Sequence, residues 1–416
     1  MKLPKGWKIG KVGCLFDVQL GKMLNETART TGEQQPYLTN CNVQWGRFDL
    51  SKLNEMHFSE RDKSKFTLKK GDLVVCEGGE VGRCAIWREE ISPCFFQKTL
   101  HRLRPTTDEI VTEFMFAYMS YISGSKRVSD LTTQSSIAHL TREQFCKLDV
   151  ILPPLPEQRK IAEILGAWDE ALEKLDALIA AKELRKKGLM QQLLTGKRRV
   201  KGFTGKWERT TFGNLLQESR NPGSHGLFAQ KITVKLYGKG VYAKQERMSG
   251  SENTKYFVRH TGQFIYSKLD FLNGAFGIVP PSLEGFESTQ DLPAFDVAKK
   301  CDGRWLLAYV VRPEFYTRQL GAAAGGRKAR RVNPPEFLAL PVNLPALPEQ
   351  RAIADILDTG DEELRLLRAT RTAVERQKRG LMQRLLTGET RVENTDTRTN
   401  KDKQGQTRTG VREGLC

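Results

Sequence analysis

Apolar residues recur at steps of four and three along two long stretches of this chain. One series is Ile161, Leu165, Trp168, Leu172, Leu175 and Ile179, and the other is Ile353, Leu357, Gly360, Leu364 and Leu367. The spacing predicts helices with a narrow, coiled-coil-like apolar seam. The first seam weakens at Lys182 and Lys186 and resumes at Leu189 and Leu193, and the second ends on Leu381 and Leu385. Both stretches are copies of one unit. Residues 152–196 (LPPLPEQRKIAEIL…GLMQQLLTG) and 344–388 (LPALPEQRAIADIL…GLMQRLLTG) align without a gap at an offset of 192, with 27 identities in 45 positions. Pro156 and Pro348 suit a first helical turn, where a missing N–H costs nothing, and Glu157 and Glu349 favour the positive helix start. Gly196 and Gly388 stand where a C-cap is expected. About 38 residues at 1.5 Å each make a rod roughly 57 Å long. Two equal rods can pack on each other with an internal pseudo-two-fold. Trp168 corresponds to Gly360, which suggests that a bulky residue of one rod fills space the other leaves empty.

Each rod follows a block of its own, and the blocks are diverged relatives. Trp7 and Trp207 lie at an offset of 200, as do Gly13 and Gly213. Residues 71–87 (GDLVVCEGGEVGRCAIW) predict two short strands around a glycine turn, and 262–280 predict the same shape with different letters. Gly78, Gly79 and Gly82 read as that turn, since neither G-K-[ST] nor G-x-G-x-x-G accompanies them. A strand is expected at 99–105 and a helix at about 108–122, matched by one at about 303–312. The aromatics Phe114, Phe116, Tyr118, Tyr121, Trp305 and Tyr309 read as core. Each block then ends in a polar loop, TTQSSIAH at 132–139 and AGGRKARR at 324–331, in corresponding positions but with unlike chemistry. Asn333-Pro334-Pro335-Glu336 resembles the adenine-binding motif of amino-methyltransferases but lacks its aromatic. It reads as a helix start with a capping box, as Thr141 and Gln144 do in the first block.

Charge narrows the partner. The 416 residues carry 67 Lys and Arg against 49 Asp and Glu, a net charge of +18, which favours a polyanion and nucleic acid first. Eight cysteines show no C-x-x-C pair, so buried thiols in a reducing cytosol are expected and a metal site is not. The five histidines are scattered, and no E-x-K tripeptide or cofactor loop with a catalytic motif is present. With no apolar run near membrane length and no signal sequence, a soluble, cytoplasmic protein is expected.

The doubled LPxLPEQRxIAxIL…GLMQxLLTG motif, each copy after a block with a Trp near its start and a glycine hairpin, resembles the specificity subunit of type I restriction–modification systems over residues 3–390. The resemblance implies an α+β fold, with two homologous α/β target recognition domains separated by two long conserved helices packed as an antiparallel coiled coil with pseudo-two-fold symmetry. The expected boundaries are 1–151 and 203–343 for the recognition domains and 152–196 and 344–390 for the helices. A linker at 197–202 and a polar tail at 391–416, expected to be disordered, complete the chain. Each domain would read one half of a bipartite, asymmetric target in double-stranded DNA. The helices would set the spacing and dock two modification subunits, with restriction subunits joining that core. The chain itself would bind no cofactor, because S-adenosylmethionine, ATP and Mg would sit on the partners. The DNA-binding candidates are Gln134, Ser135, Ser136, His139, Arg327, Lys328, Arg330 and Arg331. The helix-interface candidates are the seam residues named above other than Ile179 and Gly360. The alternatives are an orphan specificity protein and a DNA-modifying enzyme with built-in recognition.

Overall fold

The structure, a computed structural model, describes residues 3–30, 32–123, 139–245, 253–321 and 331–392. The chain divides into two compact units, Met1–Leu175 with Thr370–Cys416, and Asp176–Ala369. Each unit holds one block and part of each rod, and the rods are the helices Leu155–Leu193 and Leu347–Leu386. The architecture is α+β, and the chain mixes helices with sheets that are antiparallel except where Gln34–Leu38 pairs parallel with Phe95–Phe96. Among the described residues no helix is long and apolar enough to cross a membrane.

The first unit is built on a four-stranded sheet in the order Phe16–Leu20, Leu100–Pro105, Leu73–Cys76, Cys84–Ile86. The second repeats that order with Leu216–Ser219, Ala294–Val297, Phe264–Tyr266 and Phe276–Ile278. The last two strands of each sheet are the expected glycine hairpins. The helices Thr112–Ile122 and Gly303–Val310 pack on the fourth strand of each. Phe114, Tyr118, Trp305 and Tyr309 are buried and Phe116 and Tyr121 half-buried, so these aromatics form core. A two-stranded ribbon closes each block just before its rod, Lys8–Lys11 on Asp149–Leu152 and Glu208–Thr211 on Pro341–Leu344. Thr141 and Gln144 form the expected capping box. Asn333 takes the N-cap position of Pro334–Leu338, but its side chain makes no cap hydrogen bond. Pro335 at the second helical position removes one of the two N–H donors such a cap would bind.

The start of each rod is clamped to its block by two buried polar residues. Trp7 Nε1 donates to Glu157 at 3.0 Å, and Trp207 Nε1 donates to Glu349 at 3.1 Å. Each carboxylate also receives a two-pronged guanidinium. Arg391 binds Glu157 at 2.7 and 2.8 Å, and Arg199 binds Glu349 at 2.6 Å through both nitrogens. The neighbouring glutamines read block backbone. Gln158 Nε2 donates to Glu109 O and Pro153 O, and its Oε1 accepts from Val111 N. Gln350 Nε2 donates to Lys300 O and Pro345 O, and its Oε1 accepts from Asp302 N. Glu349 and Gln350 stand 192 residues after Glu157 and Gln158, and Arg199 stands 192 residues before Arg391. Arg391 and Val392, read from the sequence as the start of the tail, therefore belong to the folded unit, where Val392 packs on the core. Gly196 and Gly388 end the rods with φ of 72° and 75°, a left-handed conformation that glycine adopts without strain.

Within each unit the rods pack antiparallel. In the first, Ile161 and Leu165 share a core with Met382, Leu385 and Leu386, and Asp169 pairs with Lys378. In the second, Leu193 shares a core with Ile353 and Leu357, while Lys182 pairs with Glu363 and Lys186 with Asp361. The space beside Gly360 faces the stem of Lys186, whose Cγ would lie 4.0 Å from an added Cβ, and not Trp168. A lysine can do this because its methylene stem buries while its ammonium stays wet.

Replacing Gln350 or Gln158 by Leu strands buried backbone groups that the amide now satisfies. Each change should lower stability by roughly 1–3 kcal/mol, read as a lower urea midpoint with an unchanged m-value. A midpoint equal to wild type would show that the clamp is not needed to hold block on rod.

Candidate nucleic-acid interface

The two polar loops are described only at their ends. Gln134, Ser135 and Ser136 of the first and Arg327, Lys328 and Arg330 of the second lie outside the described residues. His139 and Arg331 are both exposed. His139 forms an isolated bridge with Gly78, and the Arg331 guanidinium lies 3.6 Å from Asp291.

Immediately after each loop the chain is fastened to the sheet in the same way. Leu140 N donates to Glu77 O at 2.9 Å, and Val332 N donates to Lys268 O at 3.0 Å. The carbonyls of the same two residues accept from buried side chains, Leu140 O from His101 Nε2 at 2.8 Å and Val332 O from Tyr266 OH at 3.0 Å. Leu140 and Val332 are themselves buried, at 1% and 0% exposure, and stand 192 residues apart. Each loop thus returns to a fixed point beside the glycine turn of its own block. The sequence reading missed these anchors because His101 and Tyr266 differ in kind and act on backbone, which leaves no side-chain pattern. The one available signal was the pair of apolar residues at the repeat offset.

Burial lowers the His101 imidazole below its ordinary value, the Leu140 carbonyl opposes that shift, and Arg142 adds to it. Burial raises the Tyr266 phenol well above its own range. Both groups are therefore neutral donors at pH 7. Glu77, beside the loop exit, is also raised by burial, against the pull of His139 and Lys98.

The helix-interface candidates fall in two grades. Ile161, Leu165, Leu193, Ile353, Leu357, Leu364 and Leu385 are buried, whereas Trp168, Leu172, Leu175, Leu189, Leu367 and Leu381 are half-buried. Leu178, Leu184, Ile356 and Leu366 remain exposed on the rods, at 41, 73, 38 and 51%. Among the described residues no group of three or more His, Cys, Asp or Glu is placed to hold a metal.

Residues 4–182 match the family model of the type I restriction modification DNA specificity domain. The chain is 20% identical over 416 residues to the type I restriction enzyme MjaVIII specificity subunit of Methanocaldococcus jannaschii, covering 95% of each chain. It is 21% identical over 420 residues to the putative type I restriction enzyme MjaX specificity subunit of that organism, covering 94% of this chain and 95% of the other. In fold it is similar to the S subunit of a type I restriction–modification system from M. genitalium, with a TM-score of 0.55 at 15% identity over 92% of this chain and 98% of that one. A chain from a type I R-M system, solved in work on complex assembly and conformational transition, gives a TM-score of 0.59 at 15% identity over 94% and 100%. The family resemblance carried by the doubled motif is thereby shown, and it extends along nearly the whole chain.

The depressed imidazole gives the first unit a pH signature. The unfolded chain takes up a proton at His101 near pH ~6.5, and the folded unit resists it. The contribution of His101 to stability is therefore complete above about pH 6.5 and declines as the pH falls below it. His101→Gln, whose amide can still donate to Leu140 O, should lose less stability than wild type between about pH 7 and 5.5. Urea midpoints at the two pH values measure this, and equal losses would remove His101 as a source.

Proposed function

We propose that this chain is the DNA-reading specificity subunit of a type I restriction–modification complex. Each block reads one half of a split target, and the rods fix the gap between halves. The observation that carries this reading is one block design used twice. Sheet order, rod clamp and loop anchor recur, while the loops between them change from TTQSSIAH to AGGRKARR. A constant frame with unlike chemistry at one place suits two readers of unlike half-sites. Hydroxyl and amide groups such as Gln134, Ser135 and Ser136, with His139, suit base edges in the major groove. Arg327, Lys328, Arg330 and Arg331 suit phosphates and guanine edges.

The rods supply spacing and docking. Two half-sites are met together only at a set separation and rotation along the duplex. Arg159 and Arg351 are exposed at equivalent repeat positions, and apolar side chains stay uncovered along both rods. A surface that occurs twice suits two copies of one partner, the modification subunit. On this reading S-adenosylmethionine, ATP and Mg belong to partner subunits, and the chain performs no chemistry of its own. Methyl transfer from labelled S-adenosylmethionine to DNA by the lone chain would overturn that last point.

Methylation mapping tests the whole reading. The chain is co-expressed with a cognate modification subunit in a host without adenine methylation, and N6-methyladenine is located across the genome. One split motif with two unlike halves and a fixed gap is expected, and a stable complex that leaves no methylation would refute it. Inserting four residues after Ala181 should change the tolerated gap and leave both halves intact; altered halves would mean that the rod is not the ruler. Changing Arg327, Lys328, Arg330 and Arg331 together to Ala should lower the log–log salt slope of DNA binding by up to about 0.9 per lost phosphate contact. An unaltered slope would take that loop off the contact surface.

A further inference from the structure

A second element in each unit has the marks of a DNA contact. In the first unit a short hairpin pairs Val43–Gln44 with Arg47–Phe48, turning at Trp45–Gly46. In the second, Ile232–Val234 pairs with Val241–Ala243, and the turn between them contains Tyr237–Gly238. The tip of each reads aromatic–glycine–cation, Trp45-Gly46-Arg47 and Tyr237-Gly238-Lys239, at the same offset of 192 as the rods. The strands around the tips share no such pattern, so the triplet stands out against a diverged background.

Both tips are held alike. Gly46 N donates to Cys84 O at 3.0 Å, and Gly238 N donates to Gly274 O at 2.8 Å. Both glycines have left-handed φ, 73° and 65°, and both lie against the packing helix of the block, where an added Cβ would meet Phe116 at 3.2 Å or Val311 at 2.8 Å. A larger residue fits neither the angle nor the space. Tyr237 itself has φ 59°, uncommon for a bulky residue, and its N–H is held by Asn273 O at 2.9 Å. The fold therefore fixes the backbone and leaves Arg47, Tyr237 and Lys239 in solvent, while Trp45 packs in part against the first core. Tyr237 is 66% exposed, and Arg47 and Lys239 are exposed. Lys235 lies over the ring of the exposed Tyr242, at 4.2 Å, on the same hairpin.

Position connects the tips to the loops. Residues 77–80 carry both the His139 bridge to Gly78 and Glu80, which accepts from Trp45 Nε1 at 2.7 Å. Residues 268–274 carry both the anchor for Val332 and the anchors for Tyr237 and Gly238. In each unit the triplet and the end of the polar loop rest on one turn of the sheet.

We infer that the two triplets are a paired DNA-contacting device, the cation on a phosphate and the aromatic against the sugar or base edge beside it. The inference rests on the proposed reading of the chain as a DNA-binding subunit. Cations fix register on the duplex, while an aromatic placed by a rigid tip can discriminate bases. The two tips are unlike. Trp45 is half-buried with its indole N–H committed to Glu80, whereas most of Tyr237 is open. The second tip should therefore contribute more to base choice and the first mainly to positioning.

The test uses the full chain in complex with its modification subunits and a duplex carrying the mapped motif, titrated across a salt series. Arg47→Ala and Lys239→Ala should each weaken binding several-fold and lower the log–log salt slope by about 0.9. Methylation mapping of Tyr237→Ala should relax the motif in one half only. Tyr237→Asn, which tolerates left-handed φ, guards against a folding defect and should relax the same half. If the wild-type complex binds the duplex and all four variants match it in slope and motif, the triplets are not contacts and the proposed function stands. A wild-type complex that binds no duplex sinks the underlying reading and this inference together.

Discussion

The structure depends on a carboxylate buried at the start of each rod. Glu157 and Glu349 are 6% and 1% exposed, and a buried charge is tolerated only with partners around it. Those partners come from distant parts of the sequence. Trp7 or Trp207 opens the block, and Arg391 or Arg199 follows the end of the opposite rod. One side chain thus ties block entry, rod start and rod exit. Apolar burial drives association but has no direction. A two-pronged guanidinium and an indole N–H do have direction, so the angle at which a block leaves its rod is set by hydrogen-bond geometry. For a molecule that is to meet a helical lattice, that angle matters as much as length.

The rods were the most legible part of the sequence, because period and duplication act on side chains that can be read one by one. The glycine hairpins and aromatic helices were also legible, as turn residues and apolar runs. The clamps were half visible. Glu157 was read for its favourable place at a helix start, which is true, but its main work is to receive Trp7 and Arg391. Arg199 looked like one cation of a basic linker and Arg391 like the first residue of a tail. Their pairing joins positions 150 and 234 residues apart, a separation no local pattern encodes. The loop anchors were invisible because they run through backbone. The tip triplets were present at the known offset but fell outside the stretch whose identity drew attention.

Lysines in the middle of the seams carry a second lesson. Read as weak points, Lys182 and Lys186 in fact face carboxylates across the helix pair, as Lys378 also does. These bridges are partly exposed, so each adds little to stability. Their value lies in specifying register: an apolar seam tolerates slippage by a turn, and opposed like charges do not. Rod length is useful as a measure only if the rods cannot slide.

Because each clamp joins the front of one repeat to the back of the other, a chain with a single block and a single rod would already contain both halves of the lock. Its Glu would find the matching Arg only on a second copy, and that copy would find its own on the first. Such a half-length chain would be self-complementary as a two-fold homodimer. Fusing two copies end to end keeps every contact and frees the blocks to diverge. The asymmetry of the present chain, with hydroxyls on one loop and cations on the other, is what gene duplication makes possible once symmetry is no longer enforced by identity of the two chains.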